Sequence, residues 1–150
     1  MTPFMIKLGT TAAALAAGGG FAVLSPSSQA AAFYSPPLFL DVTVGSPANL
    51  VARGAAVSVP ITVTCNADGG AYLSVQVSEK VGKKIATGQT NTNVACSGGH
   101  ETLLVTVPAG SGQAFAKGSA YGSAYISGCK FISTNYTCGQ ETGSATIRIK

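Results

Sequence analysis

Charge is scarce in this chain: Asp, Glu, Lys and Arg make up 9% of its 150 residues, and the acids are Asp41, Asp68, Glu79, Glu101 and Glu141. Paired-carboxylate chemistry needs two acids converging on one cleft. Here each falls at or near an expected strand end or turn, where solvated charge is the default. Histidine occurs once, as His100 in Ser97-Gly-Gly-His-Glu101. A catalytic base needs a partner that orients its imidazole, and a sequence neighbour such as Glu101 does not do that. No catalytic residue is therefore assigned, and the chain is not expected to be an enzyme. Zinc would call for short-spaced Cys/His pairs and a redox site for Cys-X-X-Cys, and neither spacing occurs. Asp68-Gly69-Gly70 reads as a hairpin turn, since a calcium loop needs further oxygen ligands at alternate positions. No phosphate-cradling glycine loop is present, so neither metal nor cofactor is expected.

Also missing is any helical period after the first thirty or so residues. The N-terminus carries Lys7, an Ala/Gly/Leu run from Leu8 to Leu24, then Ser25-Pro-Ser-Ser-Gln-Ala30-Ala-Ala32, the three zones of a secretory signal peptide. Residues 1–32 are read as that leader, and 33–150 as a single domain. The apolar run is short, is interrupted by Gly18-Gly19-Gly20 and lacks a basic stop-transfer cluster, so no membrane span is expected after cleavage. No cysteine lies near the leader exit and no apolar tail ends the chain, so a covalent anchor is not expected and the destination is secreted, extracellular. Cleavage removes Lys7 and leaves eight Lys/Arg against five Asp/Glu, a formal +3. That charge is too mild and scattered for nucleic acid, which requires a basic face interleaved with aromatics.

What the domain does have is short runs of β-branched and aromatic residues parted by Gly, Pro and Asn. Strands are expected near Leu38–Val44, Ala56–Cys65, Ala71–Glu79, Lys84–Thr90, Thr102–Val107, Ser119–Cys129 and Ser144–Ile149. Seven such strands suggest an all-β, antiparallel sandwich. In the second, Val57, Val59, Ile61, Val63 and Cys65 share one face, and Ser58, Pro60, Thr62 and Thr64 the other. Pro60 cannot donate to a ladder, which predicts an edge strand or a bulge there. Lys80, Lys83 and Lys84 surround Gly82 at an expected hairpin tip, where charge protects an edge.

The echo Gly118-Ser-Ala-Tyr121-Gly122-Ser-Ala-Tyr125 puts Gly and Ala on one face and Ser and Tyr on the other. Either row could pack the core while the other is wet. Alternatively Tyr121 and Tyr125 form a recognition strip, because tyrosine gives large contact area at low entropy cost. Four cysteines imply two disulfides and allow three pairings; the favoured one joins sequence neighbours, Cys65 with Cys96 and Cys129 with Cys138. The second bridge would pin Lys130–Thr137, which adds Phe131 and Tyr136 to the candidate binding surface.

Val63-Thr-Cys65, Leu73-Ser-Val-Gln-Val77, Ala95-Cys-Ser-Gly98, Thr102-Leu-Leu-Val-Thr-Val107 and Phe115-Ala-Lys-Gly-Ser-Ala120 resemble segments of small secreted actinobacterial proteins of uncharacterised function. That resemblance implies an immunoglobulin-like sandwich in a bacterial, extracellular setting. More distantly the chain is similar to neocarzinostatin-type apoproteins, exported sandwiches with two disulfides. The expected role is a secreted non-enzymatic module that binds or coats an extracellular partner, either a cell-wall polymer or a secreted protein. A small-ligand carrier, which needs an apolar cleft between the sheets, and an extracellular protease inhibitor, presenting the pinned 130–137 loop, are the alternatives.

Overall fold

The computed structural model describes residues 35–110 and 112–150, so the expected leader lies outside the described residues. Eight strands follow in order: β1 (Leu40–Val44), β2 (Asn49–Val51), β3 (Ala56–Cys65), β4 (Ala71–Val81), β5 (Lys84–Val94), β6 (His100–Pro108), β7 (Gly118–Ile132) and β8 (Asn135–Ile149). Among the described residues there is no α-helix, only a 3-10 turn over Ala52–Gly54. The strands form two antiparallel sheets. In one, β3 is central, with β6 on one side and β1 and β2 end to end on the other. The second runs β5-β4-β7-β8. The molecule is an all-β sandwich stapled by Cys65–Cys96 and Cys129–Cys138.

Alternation decides the layers. Val57, Val59, Ile61 and Val63 of β3 meet Leu73, Val75 and Val77 of β4 in a fully buried core, with Val107, Ile126 and Ile147. Burying each such side chain stabilises the fold by about 1.5–3 kcal/mol. The Gly/Ala row of β7 also faces inward, because β1 passes close over β7 and β8. A Cβ on Gly122 would stand 2.9 Å from Val44 Cγ1, and one on Gly143 would stand within hard overlap of the Val42 carbonyl oxygen. Only small residues fit beneath that strand, and the tyrosines are therefore turned outward.

Pro60 lies neither on an edge strand nor at a bulge of its own strand. Its carbonyl accepts from Gly45 N–H at 2.7 Å, so its peptide faces the β1/β2 side, where the chain runs from Gly45 to Ala48 between the two short strands. The missing donor falls at the break in the partner. The turn at Asp68–Gly70 is not a hairpin turn either, since it carries the chain from one sheet to the other. Glu79 departs from its expected solvated state as well. It is an inward-facing residue, only 3% exposed, whose Oε2 accepts the Ala116 N–H at 2.8 Å. That bond seats Phe115, which is buried and donates its own N–H to the Gly54 carbonyl.

The two sides of the sandwich differ. On one, Ala48 bridges Ile149 in parallel and exchanges hydrogen bonds with Arg148 and Lys150, so the β1–β2 link is sewn to the end of β8. On the other, β5 is bridged to the residue after β6 by Gly88 and Ala109, where Gly110 N–H reaches the Thr87 carbonyl at 2.6 Å. Beyond that point a gap stays open.

Candidate functional site

The β4–β5 and β7–β8 hairpins have two-residue turns, Gly82-Lys83 and Ser133-Thr134, and such turns fix register. Across the outer face of the β5-β4-β7-β8 sheet that register sets side chains in rows of four. One row is Asn93, Tyr72, Ser127 and Gln140. The next is Asn91, Ser74, Tyr125 and Thr142. Gln89, Gln76, Ser123 and Ser144 follow, then Thr87, Ser78, Tyr121 and Thr146. None of these positions is charged and none is aliphatic. Charge begins beyond them, with Lys80 on β4 and Arg148 on β8.

Tyr121 is 53% exposed and Tyr125 half-buried, its hydroxyl donating to Gln140 Oε1 at 2.9 Å. Between the two rings, over Ser123, lies a shallow groove of about 240 Å³ walled by Gln76, Gln89, Thr142 and Ser144. Phe131 and Tyr136 are direct cross-strand partners beyond the disulfide, with ring centroids 5.2 Å apart in an edge-on arrangement. They are 48% and 71% exposed. Strand parity puts Tyr121, Tyr125, Cys129 and Phe131 on one face of the β7–β8 ribbon. The four aromatic residues singled out from the sequence thus lie along a single strip, interrupted by the Cys129–Cys138 bridge. The arm is braced from the side: Asp68 Oδ2 accepts the Phe131 N–H at 2.7 Å, and Asp68 N–H donates to the Cys129 carbonyl. Tyr72, which the sequence reading did not single out, joins this face; its place on the polar side of the alternating β4 was the available signal.

On the opposite sheet, Asp41, Thr64 and His100 occupy one cross-strand row, and Thr64 Oγ1 is 2.6 Å from His100 Nδ1. In a triad the imidazole stands between hydroxyl and carboxylate. Here the register puts the hydroxyl in the middle, so Asp41 does not orient His100. Among the described residues no group of three or more His, Cys, Asp or Glu is gathered to hold a metal ion, and no helix is long and apolar enough to cross a membrane.

A larger cleft, about 460 Å³, lies in the gap between β5 and β6 and is lined by Thr90–Ala95 and by Glu101 and Leu103–Thr106. The side chains at the centre of the sandwich are buried, and a smaller opening of about 100 Å³ lies at the opposite edge, lined by Leu38 and Leu40 and by Gly139–Glu141. Compared with known proteins, the chain matches no family model, no curated protein and no solved structure.

Proposed function

We propose that this chain is an exported, non-enzymatic binding module of immunoglobulin-like topology that holds a neutral, hydroxyl-rich polymer, a cell-wall glycan, on the outer face of its β5-β4-β7-β8 sheet. The observation that carries this reading is the uncharged array of hydroxyl and amide side chains with Tyr72, Tyr121 and Tyr125 among them. Displacing water from hydroxyls and amides costs far less than from charges, provided the incoming ligand replaces the hydrogen bonds. A sugar polymer offers that exchange, along with apolar C–H faces that stack on tyrosine rings. The two disulfides fit an oxidising compartment. The order β1/β2-β3-β6 against β5-β4-β7-β8 supports the immunoglobulin-like assignment.

The test is retention of the purified protein on insoluble cell-wall polysaccharide. Binding through this face depends little on salt between about 0.05 and 1 M, because no ion pair is made. Tyr121→Ala with Tyr125→Ala weakens it about tenfold or more, as truncation of central tyrosines does at other interfaces. The double variant keeps its fold, since both side chains leave the core untouched. Failure to be retained on any glycan, or retention that survives both substitutions, defeats the proposal.

A further inference from the structure

We infer that the gap between β5 and β6 is a second binding site, separate from the tyrosine face, which takes an extended peptide strand carrying a basic residue. The first ground is backbone direction. Thr87 turns its carbonyl outward to Gly110, so Gln89, Asn91 and Asn93, at alternate positions of β5, also turn their peptide groups away from β4. In β3 the peptide of Pro60 faces Gly45, so those of Ile61 and Val63 face β6 and bond Leu103 and Glu101. Thr102, Leu104 and Thr106 are left with peptide groups aimed into the gap. Two rows of N–H and C=O that no strand ladder uses thus front the same opening, as the neighbours of an inserted strand would, with the Asn93 carbonyl accepting a side-chain bond from Thr92 Oγ1 at 3.4 Å.

The second ground is the absence of edge protection. Natural edges are blunted by lysine, proline or bulges. Gln89–Val94 and Thr102–Val107 contain no charged residue and no proline. The hairpin tip of β5, by contrast, carries Lys83 and Lys84.

Polar residues at inward positions give the third ground. Alternation assigns Thr90, Thr92 and Val94 of β5, and Glu101, Leu103 and Val105 of β6, to the space between the sheets. Thr92 and Glu101 are nevertheless exposed and Thr90 half-exposed. Polar side chains at core positions are departures that binding sites account for. Val94, Leu103 and Val105 supply the apolar floor, and Glu101 is the charged group in the lining. An inserted strand would place alternate apolar side chains on that floor and set a Lys or Arg against Glu101.

The probe is a pool of blocked hexapeptides in which threonine alternates with Val, Leu or Ile and lysine holds the first inward position. It is titrated into the oxidised full chain with backbone amide shifts and hydrogen exchange as readouts. Saturable binding slows exchange at Asn91, Asn93, Thr102 and Leu104, and replacing the lysine by glutamine weakens it about tenfold. With Glu101→Gln the two pools bind alike, while Thr92→Arg blocks the cleft and leaves glycan retention unchanged. Three results overturn the inference: no saturable binding at millimolar peptide, binding that leaves both edges unprotected, or edge protection that rises with protein concentration alone. The last would make a second copy of this chain the occupant.

Discussion

Removing the two disulfides one at a time should cost unequal amounts, and the difference can be worked from the loops they close. Cys65–Cys96 spans 31 residues and Cys129–Cys138 spans 9. On the chain-entropy relation the longer loop gives about 3.7 kcal/mol at 25 °C and the shorter about 2.6, a gap of about 1.1 kcal/mol. Location widens it. Cys65 is buried at the end of the central strand β3, and Cys96 follows β5, so this bridge ties one sheet to the other. Cys129 and Cys138 are direct partners in β7 and β8, whose alignment is already fixed by a two-residue turn and by Asp68. At roughly 4 °C per kcal/mol for a domain of about 115 residues, Cys65→Ala with Cys96→Ala lowers Tm by about 15 °C, and Cys129→Ala with Cys138→Ala by about 10 °C. Thermal unfolding followed by circular dichroism reads the two Tm shifts, and urea unfolding, with m-values compared to confirm two-state behaviour, reads the two free energies. Equal losses, or a larger loss from the short loop, would refute the assignment of Cys65–Cys96 as the principal staple.

Gly143→Ala drives a Cβ against the Val42 carbonyl, so β1 must lift; we expect a loss of about 1–3 kcal/mol in urea and faster amide exchange along β1. Glu79→Ala removes the acceptor of the Ala116 N–H in a buried site and should cost about 1.5–3 kcal/mol, while Glu79→Gln, which keeps an acceptor, recovers part of it in the same titration. Asp68→Ala frees the Phe131 N–H; exchange of the amides in 130–137 accelerates while global stability falls by only about 1 kcal/mol, and an unchanged arm would show that the brace is idle.

The strand β3 could be read from sequence to the residue because its alternation is uninterrupted and both neighbours obey it. The start of β8 could not. Residues 135–143 run Asn-Tyr-Thr-Cys-Gly-Gln-Glu-Thr-Gly with no apolar period, because this stretch pairs along β7 at the margin of the core and is held by ladder bonds and a disulfide rather than burial. β2 is three residues long and exists because it continues the edge that β1 begins. The expected strand ending at Thr90 extends to Val94, since Thr92 breaks the pattern at a position where the sheets have parted. That Tyr121 and Tyr125 oppose the Gly/Ala row was plain from their four-residue echo. Which row faces the core depends on how closely β1 passes overhead, and a single strand's sequence does not contain that distance.

The staple and the gap are linked. A sandwich that leaves Thr90, Thr92 and Glu101 at inward positions gives up apolar burial along one edge, and without compensation β5 and β6 would either collapse together or fray. They are held apart at two points. At the narrow end Gly88 meets Ala109, and a Cβ on Gly88 would run into the Pro108 carbonyl, so close contact there requires glycine. At the wide end the Cys65–Cys96 bridge and the Gly98 N–H bond to the Cys65 carbonyl fix where β5 ends and β6 begins, close to Glu101. The cleft therefore has a set width before any strand enters, and preorganisation of that kind raises affinity by lowering the ordering cost of binding. Reducing the Cys65–Cys96 bridge should accordingly weaken peptide capture at β5/β6 under conditions where the domain remains folded, while glycan retention on the far face, supported by β4, β7 and β8, persists. Loss of both together under those conditions would mean that the bridge serves general stability alone and that the gap is not a site held open by it.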